Sequence, residues 1–447
     1  MKLTQYNPLK IWLFTSVHVI CVSINPQVHP QETARPEFKV ESEIEFSTSE
    51  CLRLLNESVI DFYFPDSLDR KYGGYLQDLS STESGEREFS VNRKFLTFQA
   101  RQLWFFSHMA AHGIRTEEMK EAAGIGYTFI INNFLDTEHG GYYSMVTKDG
   151  FPTDPGKHAY LNAFVLYSLV EYYRASSDSG ALNHAMDLFN ILEEKARDKR
   201  HGGYNEMFSS TWNLITDQSA GSYVGPVGTK TYNTHLHLLE AFTSLYQETG
   251  DPLVGARLAE LIHINTTTVK HPDFPANIDG WYPDWTVVES DRNFRASYGH
   301  DIECAWLVLD AARALGWPDS LLRNWADSTC LYSLEFGFDS ENGGFFNGGP
   351  FGEMADDHKK VWWIQAEGLV AMATLHQLTG NIRYKQALES TYQLVAANTI
   401  SPEGGWFAST QADGSPLDKT TTSMWQSAYH AGRALLRLSQ IIEQKHQ

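Results

Sequence analysis

Histidine, arginine and carboxylate residues recur inside stretches that otherwise read as apolar helix, and a buried polar side chain is costly unless it is paired or used. The first such stretch, Phe98-Gln99-Ala100-Arg101-Gln102-Leu103-Trp104-Phe105-Phe106, sets one guanidinium in an aromatic run. That fits either a structural salt bridge or a clamp for a developing oxyanion. The second, Asn233-Thr234-His235-Leu236-His237-Leu238-Leu239-Glu240, puts Asn233, His237 and Glu240 on one helical face. His235 and His237 point to different faces, which argues against a shared metal. The third, Tyr298-Gly299-His300-Asp301-Ile302-Glu303-Cys304-Ala305-Trp306, places His300 and Glu303 one turn apart, with Trp306 continuing the stripe. A carboxylate beside an imidazole orients the ring and raises its basicity. The fourth, Trp425-Gln426-Ser427-Ala428-Tyr429-His430-Ala431-Gly432-Arg433, carries His430, and Trp362-Trp363-Ile364-Gln365-Ala366-Glu367 adds indoles and a further carboxylate. The chain has no GxxxxGK[ST] phosphate loop, no GxGxxG at a strand-to-helix junction and no GxSxG elbow. The chemistry this set suggests is proton transfer.

An internal repeat supplies the elements that position these groups. A Gly-Gly-aromatic turn recurs at Gly73-Gly74-Tyr75, Gly140-Gly141-Tyr142, Gly202-Gly203-Tyr204, Gly343-Gly344-Phe345 and Gly404-Gly405-Trp406, with a degenerate copy at Asp279-Gly280-Trp281. The spacing defines six units of about sixty residues. Between the turns, apolar residues recur at three- and four-residue steps, as in 98–111, 160–173, 235–246, 302–315, 362–378 and 423–438. Two helices fit in each unit, and the glycines suit tight hairpins. Six helix pairs, none able to bury its inner face alone, are expected to close into an all-α barrel with short β-hairpins on one rim. An open solenoid is the competing arrangement.

Bulk composition bounds the partners. The 447 residues are 42% hydrophobic and 20% charged, with 12 Trp and 21 Tyr, and carry a formal charge of −20. That charge argues against nucleic acid or anionic lipid, whereas flat aromatic rings suit the C–H faces of a sugar. The four cysteines show no metal spacing and imply no disulfide framework; Cys304 reads as a buried thiol. No metal centre is expected. Residues 1–25 read as an export signal, with Lys2 and Lys10 before the apolar stretch 11–22. Residues 26–45 read as a flexible tether and 46–442 as the barrel. The protein is therefore expected outside the cytoplasm, periplasmic or secreted, with no membrane span in the mature chain. A true start downstream of the leader would instead make it cytoplasmic.

These pieces, in this order and spacing, resemble the N-acylglucosamine 2-epimerase family, most closely its cellobiose 2-epimerase branch. The motifs are Gln99-Ala100-Arg101 with Trp104-Phe105; Lys157-His158-Ala159-Tyr160; the segments around His237, His300 and Glu367; and Trp425 with Tyr429-His430. The resemblance runs from about residue 46 to 440. It implies an (α/α)6 barrel and cofactor-free epimerisation at C2 of the reducing-end glucose of cellobiose or lactose, by a monomer or dimer. By resemblance His300 and His430 are the acid–base pair, Glu303 orients His300, and Arg101 steadies charge on the sugar oxygens. His237 and Asn233 act in ring opening or substrate binding, and Trp306, Trp363, Glu367 and Trp425 bind sugar. The stretch Tyr204-Asn205-Glu206 with Trp212, and the segment 281–285, resemble the disaccharide-using branch. Mannose isomerase and N-acylglucosamine 2-epimerase activities within the family, and glycoside hydrolysis on the same barrel, are the alternatives. A non-catalytic sugar-binding protein is the remaining one.

Overall fold

The computed structural model describes residues 47–81, 87–289 and 294–444. The expected leader (1–25) and tether (26–45) lie outside the described residues. Twelve helices of eight residues or more stand among the described residues, and they alternate between two layers. The outer ones are α1 (Thr48–Leu55), α3 (Thr116–Phe129), α5 (Ser179–Ile191), α7 (Pro252–His263), α9 (Arg323–Phe336) and α11 (Ile382–Leu394). The inner ones are α2 (Leu96–Ala111), α4 (Ala159–Ser176), α6 (Tyr232–Thr249), α8 (Tyr298–Ala314), α10 (Trp362–Thr379) and α12 (Tyr429–Gln444).

Inner helices are buried almost all round; in α10 every residue from Ile364 to Leu375 is buried. Such a helix belongs in a core rather than on a surface. Each packs on the next, and α12 returns to α2, so the ring is closed rather than an open solenoid. Each outer helix backs its own inner partner, and α1 backs α12, so the two ends of the barrel sequence complete one pair. The turns between layers have a shared chemistry. Inner helices α4, α6 and α10 end on left-handed Ser177, Gly250 and Gly380, and Asp178, Asp251 or Asn381 then caps the outer helix that follows.

At the other end lie the Gly-Gly hairpins, each closed by an antiparallel bridge such as Leu68 to Tyr75 or Leu135 to Tyr142. Two buried polar contacts tie a hairpin to the inner helix that follows. Lys94, Lys157, Lys230 and Lys360 each donate to a hairpin aspartate, Asp69, Asp136, Asp198 and Asp339, at 2.8 Å. Five residues further on, Gln99, Asn162, His235 and Gln365 accept from the backbone N–H of the aromatic after the glycines, at 2.8–3.0 Å. Asp301 holds Asn277 N–H in the same way at 3.2 Å, and Gln426 donates to the Trp406 carbonyl at 2.7 Å. His235 is thus a structural pin. Gly203 shows why glycine is needed there: its φ is +66°, and a Cβ would stand 2.6 Å from the His235 ring. Cys51, Cys304 and Cys330 are buried free thiols.

Candidate active site

A second set of polar residues of the inner helices converges at the hairpin end, all within the first two turns of their helices. Arg101 comes from α2, Tyr160 from α4, Asn233 and His237 from α6, His300 and Glu303 from α8, Trp363 and Glu367 from α10, and His430 and Arg433 from α12. The positive poles of all six inner helices therefore point toward this end, a favourable environment for negative charge.

His300 and His430 flank one indole. The Trp363 ring centroid is 4.8 Å from that of His300 and 5.8 Å from that of His430. Gly299 permits this, because a Cβ there would meet Trp363 Cη2 and Ile364 Cγ1 at 2.6 Å. His300 Nδ1 is 2.8 Å from Ser297 Oγ, and His430 Nδ1 is 2.7 Å from Glu367 Oε1. Burial pushes both imidazoles down to about 3, and the fields of His237 and His430 press His300 the same way. Both are neutral at pH 7. In His430, Nδ1–H donates to Glu367, which leaves the Nε2 lone pair free.

Beneath His430 lies a buried charge cluster. Arg433 Nη2 donates to Glu367 at 2.7 Å and to Glu303 at 2.9 Å, and Nη1 donates to Glu240 and to the Tyr429 hydroxyl. Burial and the neighbouring Glu367 carboxylate push Glu303 far above the usual carboxylate range. Against burial, Arg433 and His430 hold Glu367 down at about 2. Of the two carboxyls, Glu303 is the one pushed toward the protonated form, and its buried Oε2 has no hydrogen-bond partner among the described residues.

Arg101 is 4% exposed and bonds no carboxylate among the described residues: Nη1 donates to the Trp425 carbonyl at 3.0 Å and Nη2 to the Tyr160 hydroxyl at 2.9 Å. Its Nε has no partner among the described residues, and the guanidinium lies 4.2 Å over the Phe164 ring. His237 Nδ1 is tied to Glu240 at 3.1 Å, and its ring stands 5.3 Å from Tyr160. Asn233 is half-buried, with its side-chain Oδ1 unpartnered among the described residues. Trp363 and Trp425 are half-buried. The arrangement offers two neutral imidazoles, an aromatic floor between them and a guanidinium free to meet an oxygen.

A family model described as N-acylglucosamine 2-epimerase (GlcNAc 2-epimerase) matches residues 74–434. A cellobiose 2-epimerase of Ruminococcus albus is 33% identical over 394 residues, covering 87% of this chain and 97% of that one. The chain belongs to the N-acylglucosamine 2-epimerase family. The solved cellobiose 2-epimerase of Spirochaeta thermophila DSM 6192 superposes with a TM-score of 0.80 at 29% identity, covering 90% of this chain and 97% of that one. A D-mannose isomerase of Thermobifida fusca is 25% identical over 343 residues, covering 73% of this chain and 77% of that one. The family is one of carbohydrate epimerases and isomerases, and this chain is such an enzyme.

Several epimerase-family assignments need correcting on geometry. Glu303 does not orient His300. In the first turn of α8 the His300 side chain leans back to Ser297, whereas Glu303 points inward to Arg433. The carboxylate that orients a histidine is Glu367, and its partner is His430. Glu367 is fully buried and saturated by His430, Arg433 and Trp306, so it supports the site from behind rather than offering an oxygen to a sugar. Trp306 is two turns below the rim and 2% exposed, and it donates to Glu367 at 3.0 Å. Trp212 and Trp285 donate to the Gly140 and His201 carbonyls of neighbouring hairpins, and Glu206 binds Thr231; all three build the rim. Arg433, the hub of the cluster, escaped the sequence reading, as did Tyr160. The available signal was the i, i+3 step from His430, a buried-face position on an otherwise apolar helix.

Proposed function

We propose that this enzyme interconverts the glucose and mannose configurations at C2 of the reducing-end sugar of a β-1,4-linked disaccharide such as cellobiose or lactose. The observation that carries the proposal is the pair of imidazoles flanking Trp363. Epimerisation requires the open-chain aldehyde, since only an adjacent carbonyl acidifies the C2 proton. His237, with Nδ1 held by Glu240 and Nε2 free, is suited to the proton transfers of ring opening, and Asn233 to binding the substrate.

One imidazole then takes the C2 proton, and the C–H electron pair moves into the C1–C2 bond to give an enediolate. Arg101 and the inner-helix N-termini meet the negative charge on O1. The other imidazole must enter this step as the imidazolium, having taken its extra proton from solvent; it delivers that proton to the opposite face of C2, which inverts the centre, and is left neutral while the first ring holds the proton taken from C2. The two rings exchange roles in the reverse reaction. Glu367 supports the imidazolium form of His430, and Trp363 and Trp425 provide flat surfaces for the sugar. Each positioned proton-transfer group contributes about 10²–10⁴ in rate.

The isomerase alternative shares the enediolate and returns the proton to C1. Hydrolysis would need two carboxyl groups flanking the scissile bond. Glu303 and Glu367 instead sit side by side on one guanidinium nitrogen.

Proton NMR of cellobiose and of mannose incubated with enzyme in D₂O separates the three. Deuterium at C2 of a disaccharide product of unchanged connectivity is expected. A ketose labelled at C1, or released glucose, refutes the assignment. His300→Asn and His430→Asn are each expected to stay folded and to keep less than about a tenth of wild-type turnover.

A further inference from the structure

From the end of the barrel opposite the hairpins, a cavity of about 220 Å³ opens among the C-terminal ends of the inner helices and reaches inward to Glu240, Trp306 and Arg433, the back of the charge cluster. Trp104, Tyr167, Ser244 and Arg437 are in its wall, and His108, His112 and Glu171 stand on its lip. His108 and His112 are one helical turn apart at the end of α2, with ring centroids 4.2 Å apart. Glu171 reaches them from α4, and its Oε1 is 2.7 Å from His108 Nδ1. We infer that these three residues form a site for one divalent transition-metal ion of the zinc type.

The donor set is two imidazoles and a carboxylate, the combination that binds such ions while leaving a fourth position for water. One donor atom from each residue lies within 4.8 Å of the others. The orientation is already set. His112 Nδ1 is bonded to the His108 carbonyl at 2.9 Å, which leaves Nε2 as its ligand atom. Trp104 stacks on the His108 ring at 4.4 Å and 19°. Arg174 holds Glu171 Oε2 at 2.9 Å, so the ion would be taken by Oε1 together with His108 Nδ1, the two atoms that are bonded to each other at 2.7 Å without it. The cavity gives a water ligand room, and the C-terminal pole of α2 favours a cation. The expectation of no metal rests on cysteine spacing and on the His235–His237 pair; neither bears on this His-x-x-x-His step.

An ion here would fasten the last turn of α2 to α4, the helices that supply Arg101 and Tyr160. It plays no part in the sugar chemistry, so the inference stands apart from the proposed reaction.

The test is calorimetric titration of the full chain with zinc chloride, together with the visible spectrum of the cobalt(II) form. Wild type is expected to bind one ion and to show the d–d bands of a low-coordinate cobalt site. His112→Ala removes an exposed ligand and leaves the core intact. It is expected to weaken binding by more than about a hundredfold, beyond the 10–100-fold that loss of an outer-sphere partner costs. Turnover of this variant in chelator should equal that of wild type. Absence of binding overturns the inference. So does binding that survives His112→Ala and disappears in Glu367→Gln, which would assign the ion to Glu303, Glu367 and His430 instead.

Discussion

Glu303 and Glu367 are two buried glutamates on one guanidinium, yet neutralising them one at a time is expected to have very different consequences. Glu367→Gln keeps the shape of the side chain and removes the charge opposite His430 Nδ1, now 2.7 Å away. A hydrogen bond to a charged partner is worth about 1.5–3 kcal/mol against about 1 for a neutral one. With the charge centres about 4 Å apart, the Coulomb support for an imidazolium is about 4 kcal/mol at an effective dielectric of 20. A loss of 2–4 kcal/mol in the transition state predicts a fall in kcat of about 30–1000-fold, with KM little changed. Glu303 is the carboxyl pushed toward the neutral form, so Glu303→Gln changes the charge of the site less and is expected to lower kcat less than about fivefold, under 1 kcal/mol. There is a further signature. Removing the Glu367 charge also removes what keeps Glu303 protonated, and Glu303 Oε1 is 3.9 Å from His430 Nδ1. Glu303 can then ionise and partly substitute, so the double variant should fall below the product of the two single effects. Steady-state cellobiose epimerisation by NMR, with urea unfolding of each variant alongside, measures all three. Equal damage from the two single substitutions would sink the assignment of the proton to Glu303 and of the orienting role to Glu367.

Arg433→Met leaves Glu240 and Glu367 charged, buried and without their common partner, and is expected to cost about 3–5 kcal/mol in urea unfolding; a loss under 1 kcal/mol would contradict the hub role. Gly299→Ala forces a methyl against Trp363 and Ile364, and is expected to cost about 1–3 kcal/mol and to reduce turnover by moving the indole between the two imidazoles. Burial holds His158, His300 and His430 down at about 3 and His235 at about 4. Their folded pKa values lie below the unfolded value of about 6.5, so the stability they permit is complete above pH 6.5 and drains away as the pH falls toward 3, at up to about 1.4 kcal/mol per unit per histidine. A urea midpoint unchanged between pH 7 and pH 5 would refute this.

The six-unit count was legible because five of the hairpins carry a Gly-Gly pair that the turn requires; the remaining one, closed by the Lys270–Asn277 bridge, has Ala276 in place of the second glycine, so the expected copy at Asp279-Gly280-Trp281 lies four residues past the true turn. Helix identity was legible for the same kind of reason, since apolar periodicity survives whatever the partner is. Closure of the ring depends on α12 meeting α2 and on α1 backing α12, contacts between opposite ends of the chain that no local pattern encodes. In the site, the helices carrying His237, His300 and His430 could be read, but not the pairing of their side chains. Spacing puts Glu303 one turn from His300, yet the barrel axis takes Glu303 inward to Arg433 and sets Glu367, 63 residues before His430, against that ring. Buried polar residues on these helices also serve two masters. Gln99, Asn162, His235 and Gln365 hold hairpins, while Arg101, His237 and Glu367 face the axis, and only the three-dimensional neighbour separates the two sets.

Charge balance explains why so many ionisable groups can share this interior. With Glu303 protonated and the histidines neutral, the anions Glu240 and Glu367 are matched by the cations Arg101 and Arg433, so the resting cluster carries no net charge. Moving a proton from C2 to an imidazole creates one cation and one enediolate anion within the same enclosure, so the sum is unchanged. Each new charge has a counterpart waiting: Glu367 for the imidazolium at His430, and Arg101 with the helix N-termini for the enediolate. A site in which Glu303 was also ionised would begin with an excess negative charge and oppose formation of the enediolate. The raised pKa of Glu303 is therefore more than a by-product of burial. It keeps the enclosure neutral, and so receptive to the anion through which epimerisation must pass.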